Sequence, residues 1–271
     1  AMRKHFLGLA TLLCASGLHG QNVGYVVDNG SSVVHVVDLR TRQVTARIPS
    51  GVEPSEMLVL PNNRLAFVSN AGSNDIAVLD LNNNVRLGTI PAGLSPGSLI
   101  ASADGRFVYV ANDGSDNVTI IDAAARRAVA TIPVDATPVQ VNLSPDGRFL
   151  YAVNQDETPG TISVIDTNRR QVVKTITVGL RPSQLAISPK QTVAYVVNSG
   201  GASLTLIDLA RNDAILTIPV RNGPASVAFS TDGRFVYSVN RDAASVTVID
   251  SEQFHRIVTH IPVGTQPAAM V

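Results

Sequence analysis

The residues best placed to do chemistry in this chain flank a proline that recurs along it. Immediately before the proline stand Glu53, Ser95, Thr137, Arg181, Gly223 and Gln266; two positions after it stand Glu56, Ser98, Gln140, Gln184, Ser226 and Ala269. Asp135 and Arg221 add charge to the same loops. Gathered at one face, Glu53, Glu56, Asp135, Gln140, Arg181, Gln184 and Arg221 would bind a small polar or anionic ligand. Arg181 and Arg221 are the natural pair for an anion, because a guanidinium offers a planar fork of donors. The plainer reading is that these are solvated loop charges.

Other chemistries find less material. No catalytic residue and no metal ligand is assigned. Outside the first 20 residues the histidines are His35, His255 and His260, expected on outward strands, and no His-x-x-x-His pair with a glutamate partner occurs. Asp75, Asp113, Asp116 and Asp156 suit a hard cation by type, yet none has the spacing of a calcium loop. No serine sits in a Gly-x-Ser-x-Gly turn. Cys14 is the single cysteine, so a disulfide within the chain is ruled out.

The elements that position these residues are repeats. An aspartate closes a β-branched run at Asp38, Asp80, Asp122, Asp166, Asp208 and Asp250, in steps of 42, 42, 44, 42 and 42 residues. The proline keeps the same beat at Pro54, Pro96, Pro138, Pro182, Pro224 and Pro267. Two markers in phase identify an array of one supersecondary unit. In the unit from Pro138, the residues Val139, Val141 and Leu143 alternate with polar ones, as in a strand with one face more buried. Asp146-Gly147 then predicts a two-residue hairpin, repeated at Asp104-Gly105 and Asp232-Gly233, with Asn62-Asn63 as a substitute and a different turn at Lys190-Gln191. A second strand ends at Asn154, a third at Asp166, and a fourth runs over 172–177. Four short β-branched strands per unit predict an all-β propeller of four-stranded antiparallel blades. The six aspartates, and Asn70, Asn112, Asn154, Asn198 and Asn240, are expected to bond nearby backbone amides and fix turns.

The second-strand endings Tyr109-Val110-Ala111-Asn112, Tyr151-Ala152-Val153-Asn154 and Tyr195-Val196-Val197-Asn198 resemble the Tyr-Val-Thr-Asn (YVTN) repeat family of β-propellers. The surrounding pattern, Val118-Thr119-Ile120-Ile121-Asp122 and Ser144-Pro145-Asp146-Gly147-Arg148, fits it too. The resemblance implies an exported or cell-surface propeller, with surface-layer and lactonase-like relatives. Such propellers usually have seven blades. Here Gly24 to Val27 reads as a second strand without a first, and Pro267 to Val271 as a first strand without a second. Pairing the two predicts six blades closed by a Velcro seam; a fragment of a seven-bladed protein is the alternative.

Arg3-Lys4-His5 followed by an apolar run from Phe6 to Ala15 reads as a secretory signal over residues 1–20, with the propeller over 21–271. Its removal takes two of 21 basic residues and leaves 19 against 21 acidic ones. That balance supplies no general pull toward nucleic acid. Aromatics are 4% of the chain and tryptophan is absent, so a base-stacking platform is missing as well. The sequence therefore predicts an exported monomer without cofactor or transmembrane segment in the mature chain, at the periplasm, cell surface or outside the cell. Its role is that of a scaffold binding an unknown protein or a small polar or anionic ligand. A lactonase-like, metal-dependent hydrolase with its site at the axial mouth, and a surface-layer or adhesion module, are the alternatives.

Overall fold

A computed structural model describes residues 11–15, 23–61, 64–156 and 159–270. They form six four-stranded antiparallel sheets, each with its strands in chain order. No α-helix occurs among them, only a 3-10 turn at Asp113–Ser115. The chain divides into two compact units, Ala1–Thr131 and Ile132–Val271. The first holds the first two sheets and most of the third, whose last strand, Arg127–Pro133, crosses the division. The second holds the remaining three.

The sheets follow the predicted repeat and depart from expectation at three places. The first sheet is completed by Thr11–Ala15, with Thr11 opposite Val27 and Ala15 opposite Val23. The C-terminal segment does not supply that strand: residues 267–270 carry no strand, and Val271 lies outside the described residues. A local hairpin needs only a short loop to close, which favours it over a pairing between chain ends. The rest of the segment read as a signal lies outside the described residues.

The second correction concerns burial. Beyond the first sheet, the second and third strands are largely buried on both faces: Phe149–Asn154 and Thr161–Asp166 are buried at every position but the first. Sheets stack on one another, so an unbroken apolar run is what such strands need. Between the first and second sheets lie Tyr25, Val34, Met57 and Leu79; between the fourth and fifth, Tyr151, Ile162, Leu185 and Ile207. The first strands do not follow period two. A bulge after the proline shifts their register, between Pro138 and Gln140 or Pro182 and Gln184, so burial falls on the proline and on Val141 or Leu185 three places later.

Third, the Asp-Gly turn is longer than two residues. The Gly147 N–H donates to the Ser144 carbonyl, and only Gly147 has positive φ, +69°. Pro145 is thus the first corner of an ordinary turn, and the glycine takes the left-handed position after it. Asp146 Oδ1 accepts from the Arg148 N–H and the Ser144 hydroxyl, which holds its carboxyl below the usual range. Lys190-Gln191 makes the same turn: Gln191 N–H donates to Ser188 O, with Gln191 at φ +62°. Asn62-Asn63 lies outside the described residues.

The repeating aspartates fix turns as expected. Asp166 Oδ1 accepts from the backbone N–H of Asn168 and Arg169, and Asp38, Asp80, Asp208 and Asp250 repeat the pattern. Asp122 keeps one such bond, from Ala125. The fourth strands are edges, and register shifts opposite Val36, Val78, Val164, Leu206 and Val248 bend them. Bulges of this kind blunt an edge against pairing with another chain.

Candidate functional site

From the second sheet on, one end of each sheet carries the loop from the preceding sheet and the loop between its own second and third strands. The asparagines that close the second strands build this end, but not as local turn formers. Asn70, Asn112, Asn154, Asn198 and Asn240 are fully buried. Asn198 accepts from Gly179 N–H through Oδ1 (3.1 Å) and donates through Nδ2 to Ser203 Oγ (3.1 Å) and Thr205 Oγ1 (2.9 Å). Asn70 likewise takes the Gly51 N–H and the Ser50 hydroxyl. The incoming loop passes so close that a Cβ at Gly179 would lie 2.5 Å from Asn198 Cγ, and one at Gly51 2.6 Å from Asn70. Glycine is required there by contact. Residue type alone assigns the asparagine to its own turn; the sequence signal for the clamp is the glycine three residues before the proline in the second, third and fifth repeats.

Two residues after those glycines, the backbone turns left-handed. Glu53, Ser95, Thr137, Arg181, Gly223 and Gln266 all have positive φ, between +49° and +69°. For a non-glycine residue this costs roughly 1–3 kcal/mol, so the surroundings must enforce it. They do: the carbonyls of Glu53, Ser95, Thr137, Arg181 and Gly223 accept from the N–H that follows each asparagine, at 2.7–3.2 Å. The variable residue is therefore pinned by its backbone. The Glu53 and Arg181 side chains are exposed.

The seven residues expected to form a ligand site separate by role. Glu56, Gln140 and Gln184 bond to the next sheet: Gln140 Oε1 accepts from Leu185 N–H (2.7 Å), Gln184 Oε1 from Val227 N–H (2.9 Å), and Glu56 from Leu99 N–H and the Ser98 hydroxyl. Burial dominates at Glu56 and pushes its carboxyl up to about 7. Asp135, exposed, accepts from the Thr161 hydroxyl at 2.7 Å. Glu53, Arg181 and Arg221 are exposed at loop positions. Within either unit, no hydrogen bond or ion pair among the described residues joins any two of the seven.

The first repeat departs from the clamp. Asp28 replaces the asparagine and His35 the hydroxyl seven residues on, a spacing at which Asn112 meets Thr119 and Asn240 meets Thr247. His35 Nε2 lies 3.2 Å from Asp28 Oδ2, and the Ser31 hydroxyl donates to the same oxygen. These bonds, Ser31 first, hold Asp28 down at about 2. The histidines are not free surface groups: His255 Nδ1 is 2.6 Å from Tyr195 Oη and His260 Nδ1 3.0 Å from Thr247 Oγ1. No group of three His, Cys, Asp or Glu able to hold a metal ion occurs among the described residues. Gln155 and Asp156 of the inserted loop join the backbone network through Thr137 and Arg181; residues 157 and 158 lie outside the described residues.

A family model described as a YNCE-like beta-propeller matches residues 22–190. The chain belongs to that family. Its sheets are therefore propeller blades. Among solved structures it is similar to Kuenenia stuttgartiensis hydrazine synthase, at 21% identity and a TM-score of 0.75, over 91% of this chain and 85% of that one. It is also similar to a functionally unknown protein from Desulfotomaculum acetoxidans DSM 771, at 15% identity and a TM-score of 0.71, over 90% and 82%. At these identities the likeness is one of fold. No curated protein matches. No helix among the described residues is long and apolar enough to cross a membrane.

Proposed function

We propose that this YNCE-like propeller is an exported binding scaffold of the bacterial cell envelope, presenting the loop end of its blades to a protein or a small polar or anionic partner. The supporting observation is the pinned left-handed residue before each proline. It varies from Glu to Ser, Thr, Arg and Gly while its carbonyl is held by the N–H after the asparagine, and Gln266 shares its left-handed backbone. Rigid loops carrying variable side chains suit recognition. The strand endings support the finer assignment to YVTN-type repeats, and the basic, then apolar, N-terminus supports export, in which case cleavage takes Thr11–Ala15 out of the first blade.

A hydrolytic reading draws on the Asp28–Ser31–His35 group. Its geometry argues against a nucleophile: serine and histidine both address the carboxylate, whereas activation needs the hydroxyl on the imidazole. The scaffold reading is tested by a photo-crosslinking residue at Arg181, with Arg169 in a third-to-fourth-strand turn as control. A discrete adduct from position 181 alone is expected in cells. No adduct, or the same adducts from both positions, would overturn it. Mass analysis of the exported protein tests the leader: an N-terminus near Leu18 or Gln21 is expected, and retention of Thr11–Ala15 in the mature chain would remove that part of the proposal.

A further inference from the structure

The repeat breaks a second time, away from the loop end, on the fourth strands. Ala46, Gly88, Lys174, Leu216 and Thr259 occupy one register position, opposite Val36, Val78, Val164, Leu206 and Val248. In the fourth blade Lys174 reaches the turn of the fifth, donating to Asp213 Oδ1 (2.6 Å) and the Arg211 carbonyl (3.3 Å). In the second blade there is no side chain. Gly88 instead has φ +154°, a conformation closed to other residues, while none of the four equivalents has positive φ. A recess of about 250 Å³ opens beside it, lined by Val78, Leu87, Thr89, Ile90 and Arg126.

The charges around this recess are reversed. Arg127 opens its strand where Asp213 opens the corresponding one. Neither the Arg126 nor the Arg127 guanidinium makes an ion pair among the described residues. In the fourth and fifth blades a cation on the strand meets an acid on the turn; here the strand side is vacant and the turn side is cationic. The complementary group is an anion. A volume below that of typical drug-sized pockets limits it to a few heavy atoms. We propose that this recess binds a small carboxylate, with its charge on Arg126 and a short apolar body against the exposed Leu87 beside the bare Gly88 backbone.

The test is a titration of isotope-labelled full-length protein with butyrate, followed at the amides of Leu87, Gly88 and Thr89, beside its uncharged isostere butyramide. Saturable shifts with butyrate and none with butyramide are expected. Arg126→Gln, an exposed position, weakens binding about ten- to a hundredfold, the scale of one charge-assisted bond. Arg47→Gln, an exposed arginine on the first blade's fourth strand, leaves it unchanged. Shifts that fail to saturate, equal response to butyramide, or unaltered affinity in Arg126→Gln would each overturn the site. A loop-end partner lost without change here would overturn only the scaffold reading.

Discussion

Glu56 and Gln184 occupy the same place in two blades, two residues after the proline, and both accept the backbone N–H of the next blade's first strand. The amide does this at no electrostatic cost. The carboxylate does the same while half-buried, where desolvation disfavours its charge. Asp28 and His35 contrast in the same way with Asn240 and Thr247. The neutral groups show what the architecture requires; the ionisable ones go beyond it. At these two positions the ionisable groups fall in the first two repeats, so proton-linked behaviour of the clamp and of the bond to the next blade should be confined there.

The sharpest way to break this comparison is to abolish the difference. Glu56 is raised in the fold from an ordinary 4.5 to about 7, so the folded state holds the proton more tightly. Its contribution to stability is complete below pH 4.5 and disappears as pH rises through 7. The loss is on the order of 3 kcal/mol, at 1.36 kcal/mol per pKa unit. Glu56→Gln keeps the acceptor and removes the titration. Urea unfolding should show the native chain weakening between pH 5 and about 8 and the variant holding level. Parallel curves would mean that the carboxylate is solvated and the two positions are equivalent.

The neutral side of the comparison is tested at Asn198. Alanine there removes three hydrogen bonds and leaves the Gly179 N–H and the Thr205 hydroxyl without their partner. A loss of about 2–3 kcal/mol, independent of pH, is expected in the same unfolding measurement. A loss that varied with pH would place titration in the clamp itself and blur the distinction.

Much of this was legible in the sequence, because repetition reveals what must recur. The 42-residue beat, the four strands and the aspartate turns at Asp38 through Asp250 follow from β-branched runs and Asx chemistry alone. What was not legible is contact between repeats. Gln140 reads as a ligand group until the bulge after Pro138 directs it to Leu185. Asn198 reads as a turn former until the incoming loop is seen to need Gly179 against it. Arg181 reads as half of an anion pair with Arg221, whereas its firmest structural feature is a left-handed backbone. Side-chain types and spacing do not carry inter-blade register.

The smallest effect concerns the first turn of each repeat, where Gly147 and Gln191 hold the same left-handed position. Gly147 does so freely, while Gln191 pays a steric penalty through its Cβ. Gln191→Gly relieves that strain and returns part of the gain as chain entropy in the unfolded state. A net stabilisation of about 0.5–1 kcal/mol is expected, read as a higher urea midpoint with an unchanged slope. The converse, Gly147→Gln, should lower the midpoint by a similar amount. If both substitutions destabilise, the two turns differ in more than this residue, and the Lys190 turn is held by contacts that glycine cannot supply, such as the Lys190–Glu252 ion pair beside it.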